Sequence, residues 1–472
     1  MTRLVPVLVL ACGVLAGCGL EPAFQRPSPP VPSHWPTGPA YGASADVAAA
    51  DWRQVFIDPK LQAVITQALA NSRNLRVAIA QIQASRAQYH VQRANLLPKI
   101  NAQAAASTGR EYTGLPPILG GAYQNETDYS VSVGTTAYEL DLFGRVRSLT
   151  KSALETYLAT EQAQRSTQIS LVAEVATDYL TYAADASLLE VSKATVASAQ
   201  ANFDLAQRRL TGGVASQLDV SSAETILDQA QDDVARYTTQ VAQDKNALDL
   251  AVGAPVAAEN LPSGLDDPAT RLGAAPGALD STVLLRRPDV LEAEHTLRGA
   301  GANIGAARAA FFPQISLTAS GGTESLALSS LFSRGAGVWS FAPTITLPIF
   351  AGGANKGNLD YAKAEDRIDV AQYEKAIQTA FREVADALAQ RGTITERLRA
   401  QHAQVAAADQ ALRLAEALYK RGSDSYLDVL TAQRTLYAAQ QSLIAVQLIE
   451  HTNTVTLYKV LGGALSDRGK DS

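Results

Sequence analysis

Between Gly144 and Gly212 the chain contains neither glycine nor proline. Glycine ends helices through its backbone freedom and proline through its missing N–H, so a long run without either leaves nothing to stop a helix. The residues in between are mostly Ala, Gln, Leu, Glu, Ser and Thr, and they predict one helix from Arg145 to Thr211, roughly 100 Å long at 1.5 Å per residue. A helix of that length needs an apolar stripe to pack. Val175, Tyr182, Leu189, Val196, Phe203 and Leu210 supply one, recurring every seven residues. After the break "TGGVAS" (Thr211 to Ser216) a second run carries Val220, Leu227, Val234, Val241 and Leu248, with Ala223, Ala230, Tyr237 and Ala251 three positions further on. Heptads on both sides of a tight turn predict an antiparallel coiled-coil hairpin.

The plan occurs twice. Asn74 to Ala106 matches Asp289 to Gly321 at an offset of 215, which pairs Arg93 with Arg308, Pro98 with Pro313 and Ile100 with Ile315. Further on the offset becomes 209, pairing Glu174 to Leu180 with Glu383 to Ala389, and Leu218-Asp219-Val220 with Leu427-Asp428-Val429. Heptads resume at Val384, Leu398, Val405, Leu412 and Tyr419, then Val429, Leu436 and Leu443, with Arg391 and Glu450 interrupting them. The expected organisation is a first repeat over 51–253, a proline-containing linker over 254–280, a second repeat over 281–463 and a tail over 464–472. Within the repeats, β-hairpins are expected at about 99–143 and 314–350, and helical hairpins at about 145–252 and 353–462. A helical region from Pro59 to Leu97, broken near Asn71, precedes the first β-hairpin.

In "AARAAFFPQISLTASGG" (Ala306 to Gly322) the period changes from helical to two at Phe312-Pro313. Ile315, Leu317 and Ala319 then alternate with Gln314, Ser316, Thr318 and Ser320. In the first half, a strand follows Pro98, a turn-rich loop "TGREYTGLPPILGGAY" comes next, and a second strand is expected from Asp128 to Phe143. Trp339, Phe341, Ile345 and Leu347 alternate in the last strand. Strands of this length suit a tilted membrane crossing. On alternation alone a soluble sheet covering the helix ends fits equally well. Four strands are too few to close a barrel, so membrane strands here require copies of the chain: two give eight strands and a filled interior, three give twelve and a lumen.

The N-terminus "MTRLVPVLVLACGVLAGC" has Arg3, an apolar stretch from Leu4 to Leu15 and then small residues, the layout of a secretory signal over 1–17. The stretch is shorter than the roughly 20 residues a spanning helix needs, and no later run is long enough either. Leu15-Ala16-Gly17-Cys18 resembles the lipobox of bacterial lipoproteins, which implies acylation of Cys18; Gly19 after it implies outer membrane sorting. Pro27, Pro29, Pro30, Pro32, Pro36 and Pro39 exclude helix and predict an extended, lipid-anchored arm over 18–50. A net charge of −6, with basic residues scattered, gives no footprint for nucleic acid.

"LLRRPDVLEAEHTLRGAGANIGAARAAFFPQISL" (Leu284 to Leu317), "ELDLFGRVR" (Glu139 to Arg147), "LPIFAGG" (Leu347 to Gly353) and "YKRGSDSYLDVLTAQRTL" (Tyr419 to Leu436) resemble the signatures of the TolC-like outer membrane factors, and more narrowly the NodT-type lipoproteins of RND efflux systems. The resemblance covers essentially the whole mature chain. It implies a mainly α fold with a membrane β-barrel portion: coiled-coil helical hairpins plus four transmembrane strands per chain, and a homotrimer forming a 12-stranded barrel and a periplasmic α-barrel. It also implies a periplasmic adaptor and an inner-membrane RND pump as partners, and passive conduction to the outside. A channel for type I protein secretion and a non-conducting coiled-coil lipoprotein are the alternatives.

No enzyme is expected, and no cofactor beyond a lipid on Cys18. His34, His90, His295, His402 and His451 are isolated, and no spacing suits a metal. The hairpin tips are the candidate sites. By resemblance, Gly212, Gly213, Val214, Ser216, Gly422 and Ser423 contact the adaptor, while Asp424, with Arg421 and Tyr419, forms a periplasmic gate. Asp424 as a plain helix cap remains an equal reading, and Asp219 and Asp428 occupy matched positions that could serve instead. Lipid-facing positions are Ile315, Leu317, Trp339, Phe341, Ile345 and Leu347, with Ala319.

Overall fold

The computed structural model describes residues 19–41, 51–112, 123–273 and 280–463. The signal segment, Cys18 and the C-terminal tail lie outside the described residues. No helix occurs in Gly19–Tyr41. After one helical turn, Trp52–Val55, come helices α1 (Pro59–Asn71) and α2 (Arg73–Ala94). Strands β1 (Asn101–Tyr112) and β2 (Tyr123–Leu140) follow, then helices α3 (Arg145–Thr211) and α4 (Gln217–Val252). The second half has α5 (Pro288–Ala309), strands β3 (Gln314–Ser325) and β4 (Gly337–Thr346), and helices α6 (Ala354–Lys420) and α7 (Tyr426–Val460). Helices α2 and α5 have 22 residues each, and α3 and α6 have 67 each.

Local signals set these bounds. The Asp58 carboxylate accepts the Lys60 amide at 2.7 Å and Pro59 occupies the first helical position of α1, where its missing N–H costs nothing. Helix α3 runs between Gly144 and Gly212 as the absence of breakers requires. The strand bounds differ from expectation. Thr108 to Tyr112 extend β1 in place of starting a loop, because each finds a cross-strand partner in Tyr123 to Thr127; β2 therefore begins before Asp128. It ends at Leu140, short of Phe143. Strand β4 stops at Thr346, before Pro348, which has no N–H to give a ladder, so Leu347 lies just past the strand.

The chain forms two compact units. One holds the described part of Met1–Pro27 with Ile82–Thr160 and Ala293–Tyr373, and contains all four strands; the other holds the described parts of Ser28–Gln81, Glu161–Glu292 and Glu374–Ser472. In the first, the four strands form one antiparallel sheet in the order β1-β2-β3-β4. The N-terminal segment is fastened to this unit: the Arg308 guanidinium donates to the Leu20 carbonyl at 2.9 Å, Lys151 meets Glu21 at 2.6 Å, and Arg26 reaches the fully buried Glu294 at 2.9 Å.

In the second unit the heptads form the core. Val175, Val220, Leu227 and Leu248 are buried, as are Ala223, Ala230 and Tyr237. The tightest layer on α3 is the one three positions after its large heptad residues, where Ser192, Ala199 and Ala206 are almost wholly buried; small side chains let helices approach closely. Where Arg391 interrupts the stripe on α6, Ala380, Ala387 and Ile394 carry the layer.

Arg287, from the Arg-Arg-Pro-Asp-Val segment, is buried and joins three elements of this unit. It forms a two-pronged pair with Asp289 at 3.0 and 2.6 Å, reaches Glu383 at 2.9 Å, and donates to the Val460 carbonyl at the end of α7 at 2.6 Å. Removing the guanidinium leaves two carboxylates and a helix-end carbonyl without their donor. Arg287→Ala is predicted to lower stability by roughly 3 kcal/mol, measured by denaturant unfolding of the detergent-solubilised protein. Arg287→Lys, lacking the planar fork, should recover only part of it.

Candidate membrane face and hairpin tips

The register of the sheet sorts its residues by face, since directly opposed residues in antiparallel strands point the same way. Ile315 faces Leu140 and Ile345, Leu317 faces Tyr138 and Pro343, Ala319 faces Phe341, and Gly321 faces Val133 and Trp339. On β1 the same side presents Ala102 and Ala104 opposite Val133 and Val131. The other side presents Gln314 opposite Thr346, Ser316 opposite Thr344, and Ser320 opposite Ser340, whose hydroxyls are 3.0 Å apart. One face is therefore apolar and the other polar. The apolar face is open: Trp339 is 82% exposed, Ile345 68% and Phe341 62%. Ile315 and Leu317 are half-buried between flanking strands.

The polar side is the crowded one. A Cβ at Gly134 would come within 2.2 Å of the Ala319 carbonyl oxygen, and one at Gly322 within 2.1 Å of that of Val131. Both glycines lie on the polar side, so the sheet curls toward it, as glycines at bends permit. A bulge between Thr135 and Tyr138, with Ala137 at φ +53°, adds to the bend. Strands β1 and β4 each have one paired neighbour among the described residues, which leaves an edge on either side. No described helix is long and apolar enough to cross a membrane.

The two hairpin tips share one geometry. Gly213 (φ +73°) donates to Leu210 and Val214 to Arg209; in the second tip Gly422 (φ +77°) donates to Tyr419 and Ser423 to Leu418. Each is a paired closure of the helix end around a left-handed glycine. Gly212, Val214 and Ser216 are exposed in the first tip, as are Gly422 and Ser423 in the second. Leu218 and Leu427, one turn into the returning helices, are 74% and 67% exposed.

The carboxylates near the tips differ in occupation. Asp219 and Ser216 exchange hydrogen bonds in a capping box. Asp428 accepts from the Ser425 hydroxyl at 2.6 Å, and that bond, followed by one with Asp424, holds its carboxyl below the usual range. The cap residue of α7 is Ser425, not Asp424, which accepts only the Ser425 amide at 3.0 Å. Asp424 is half-buried and Arg421 exposed. Tyr419 is buried within the chain: the Arg209 guanidinium lies 4.1 Å above its ring and donates to its carbonyl at 3.0 Å, and Tyr426 packs on it at 5.1 Å. Arg209, which joins the first hairpin to the second, was not among the sequence candidates.

The sequence pattern of the family described as outer membrane efflux protein matches residues 64–254 and 279–463. The chain belongs to the outer membrane efflux protein family. It is 49% identical over 467 residues to the antibiotic efflux pump outer membrane protein ArpC of Pseudomonas putida, covering 98% of this chain and 96% of that one. It is 48% identical, with the same coverage, to the toluene efflux pump outer membrane protein TtgC of a second Pseudomonas putida strain. The open-state Neisseria gonorrhoeae MtrE outer membrane channel superposes with a TM-score of 0.85 at 36% identity, covering 94% of this chain and 98% of that one. This efflux protein is thus an outer membrane component of efflux systems and not an enzyme.

One cluster of the efflux protein escaped the heptad reading. The layer on α3 that holds Ser192, Ala199 and Ala206 begins with Asp178 and Asp185, and Asp244 takes the matching core position on α4 between Tyr237 and Ala251. Charge at a core heptad position is a readable signal of a special contact. Burial first, then hydrogen bonding and charge from Asp244, push Asp185 up to about 7, against the pull of Arg236. Burial, Glu174 and Asp244 push Asp178 up to about 6. The native chain therefore binds more protons than the unfolded one above the ordinary carboxylate value, and its stability falls as pH rises from about 4 toward about 7. The thermal unfolding midpoint should drop between pH 5 and pH 8 in the native sequence and drop less in Asp185→Asn.

A charge on the apolar face costs up to about 4 kcal/mol near a bilayer midplane. Phe341→Arg should reduce the heat-modifiable protein recovered in outer membranes, while Ser340→Arg, one residue away on the polar face, should leave it unchanged.

Proposed function

We propose that this chain is the exit duct of a tripartite efflux system, passively conducting cargo from an inner-membrane pump and a periplasmic adaptor to the outside. The observation that carries the reading is the sheet with one open apolar face, one polar face and two free edges. Three copies contribute twelve strands, enough for a barrel with the apolar faces toward lipid and the polar faces lining a lumen. The repeats over 51–253 and 281–463 supply one β-hairpin and one helical hairpin each. In the trimer the six helical hairpins continue the wall as a periplasmic α-barrel. A lipid on Cys18 anchors the arm, and no other group is needed.

Gly212, Gly213, Val214, Ser216, Gly422 and Ser423 form the adaptor contact, with exposed Leu218 and Leu427 as its apolar component. Three copies of two similar tips present six similar surfaces to a six-fold adaptor ring. The names of the relatives, an antibiotic and a toluene efflux protein, support small drug-like and aromatic cargo delivered by an RND pump. Deleting the gene should raise the host's susceptibility to such compounds, and restoring it should reverse the change; unchanged susceptibility with an intact pump contradicts the role.

The gate is assigned to Asp424, since Asp219 and Asp428 are engaged at helix starts while Asp424 bonds only the neighbouring amide. A ring of three carboxylates favours cations and narrows the opening, with Arg421 and Tyr419 beside it. Asp424→Ala should let bulky hydrophilic antibiotics into cells carrying the channel. Unchanged uptake at equal expression removes Asp424 from the gate.

A further inference from the structure

Phe350 follows β4 and is 90% exposed, and Leu97, which precedes β1, is 70% exposed. They lie at opposite edges of the sheet, so nothing within the chain can cover both together. Lipid is a poor candidate as their cover. Alternation carried past the strand ends sets Phe350 in phase with Thr346 and Leu97 in phase with Asn101, on the polar side of the sheet and not the side of Trp339 and Phe341.

The middle of the sheet shows what such residues do when a neighbour is present. Phe143, after β2, stacks on Phe312, before β3, with ring centroids 4.8 Å apart and planes at 23°. Strands β2 and β3 are antiparallel neighbours, one from each half of the chain. Leu97 precedes Phe312 by 215 residues, the offset that pairs Pro98 with Pro313. Phe350 closes "LPIF" as Phe143 closes "LDLF". Phe350 and Leu97 therefore stand to β4 and β1 as Phe143 and Phe312 stand to β2 and β3. One pair is joined inside the chain, and the other is left open at its two edges.

We propose that strand β4 of one copy pairs antiparallel with strand β1 of the next, and that Phe350 packs on Leu97 of that neighbouring copy as Phe143 packs on Phe312 within the chain. The two surfaces differ, so the contact is head to tail: it adds copies in one rotational direction and ends only when a ring closes. The inference rests on the duct reading above and names the side chains at its three seams. Each seam joins the second half of one chain to the first half of the next. In sequence terms the ring is then six similar hairpins, with three joints inside chains and three between them.

The test is cross-linking of the full chain in outer membranes. With a short bis-maleimide, Leu97→Cys/Phe350→Cys should give denatured bands of one, two and three chain lengths and none longer, while either single variant should give none. Phe143→Cys/Phe312→Cys should cross-link within one chain and produce no ladder. A Leu97→Cys/Phe350→Cys protein that runs as a trimer in native electrophoresis but gives no ladder overturns the seam and leaves the duct reading standing. A native sequence that is folded but monomeric in detergent and in membranes overturns both. As an independent arm, Phe350→Ser should lower the temperature at which trimer dissociates while the helical circular dichroism of each chain persists; an unchanged dissociation temperature overturns the proposed contact.

Discussion

A sheet edge carries a row of backbone N–H and C=O groups, and hydrocarbon offers them no partner. Four strands, two edges and an open apolar face set that constraint for this chain, and the assembly proposed here follows from it. The apolar side of β3 and β4 favours lipid, but no membrane-embedded sheet can stop at β1 and β4. The edges have to meet others like them. The crowding at Gly134 and Gly322 turns the sheet toward its polar side, the direction in which closure of several copies would leave a water-lined interior.

The helices follow from a different constraint, that a stripe repeating every seven residues must be buried along its whole length. The stripe changes character along α3. Toward the turn its small layer is Ser192, Ala199 and Ala206, while further back it is Asp178 and Asp185, set against Asp244 on α4. Small residues there permit close packing, and the carboxylates hold protons that ordinary carboxylates would have lost. Cross-hairpin contacts add direction: Arg209 over Tyr419, and Tyr437 bonded to both Ser192 and Asp233 at 2.8 Å. These polar contacts have stricter geometry than the alanine layers, so they fix how the two hairpins register.

Where sequence and structure agree, the signal was local. Helix α3 could be placed from Arg145 to Thr211 because helix breakers act on their own neighbours and none lies between. The helix-to-strand change at Phe312-Pro313 could be read because proline removes a donor at a known place. The ends of β1 and β2 were misread because a strand end is decided by its partner: Thr108 to Tyr112 stay in the ladder on account of Tyr123 to Thr127, which a turn-rich composition does not reveal. Arg287 carried a signal that went unused, since a cation just before a helix start is unfavourable unless a partner holds it, and Asp289, Glu383 and the Val460 carbonyl do so. The spacing of the tips was legible from "TGGVAS" and "RGSDS". The burial of Tyr419 under Arg209 was not, because those residues are brought together only by packing of separate hairpins.

The central claim is that copies of this chain enclose a continuous water-filled path, and electrical measurement addresses it most directly. Purified full-length protein added to a planar lipid bilayer should produce uniform conductance steps, favouring cations over anions as a carboxylate constriction requires. Folded, membrane-inserted trimer that passes no ions would contradict the duct and leave a structural lipoprotein in its place.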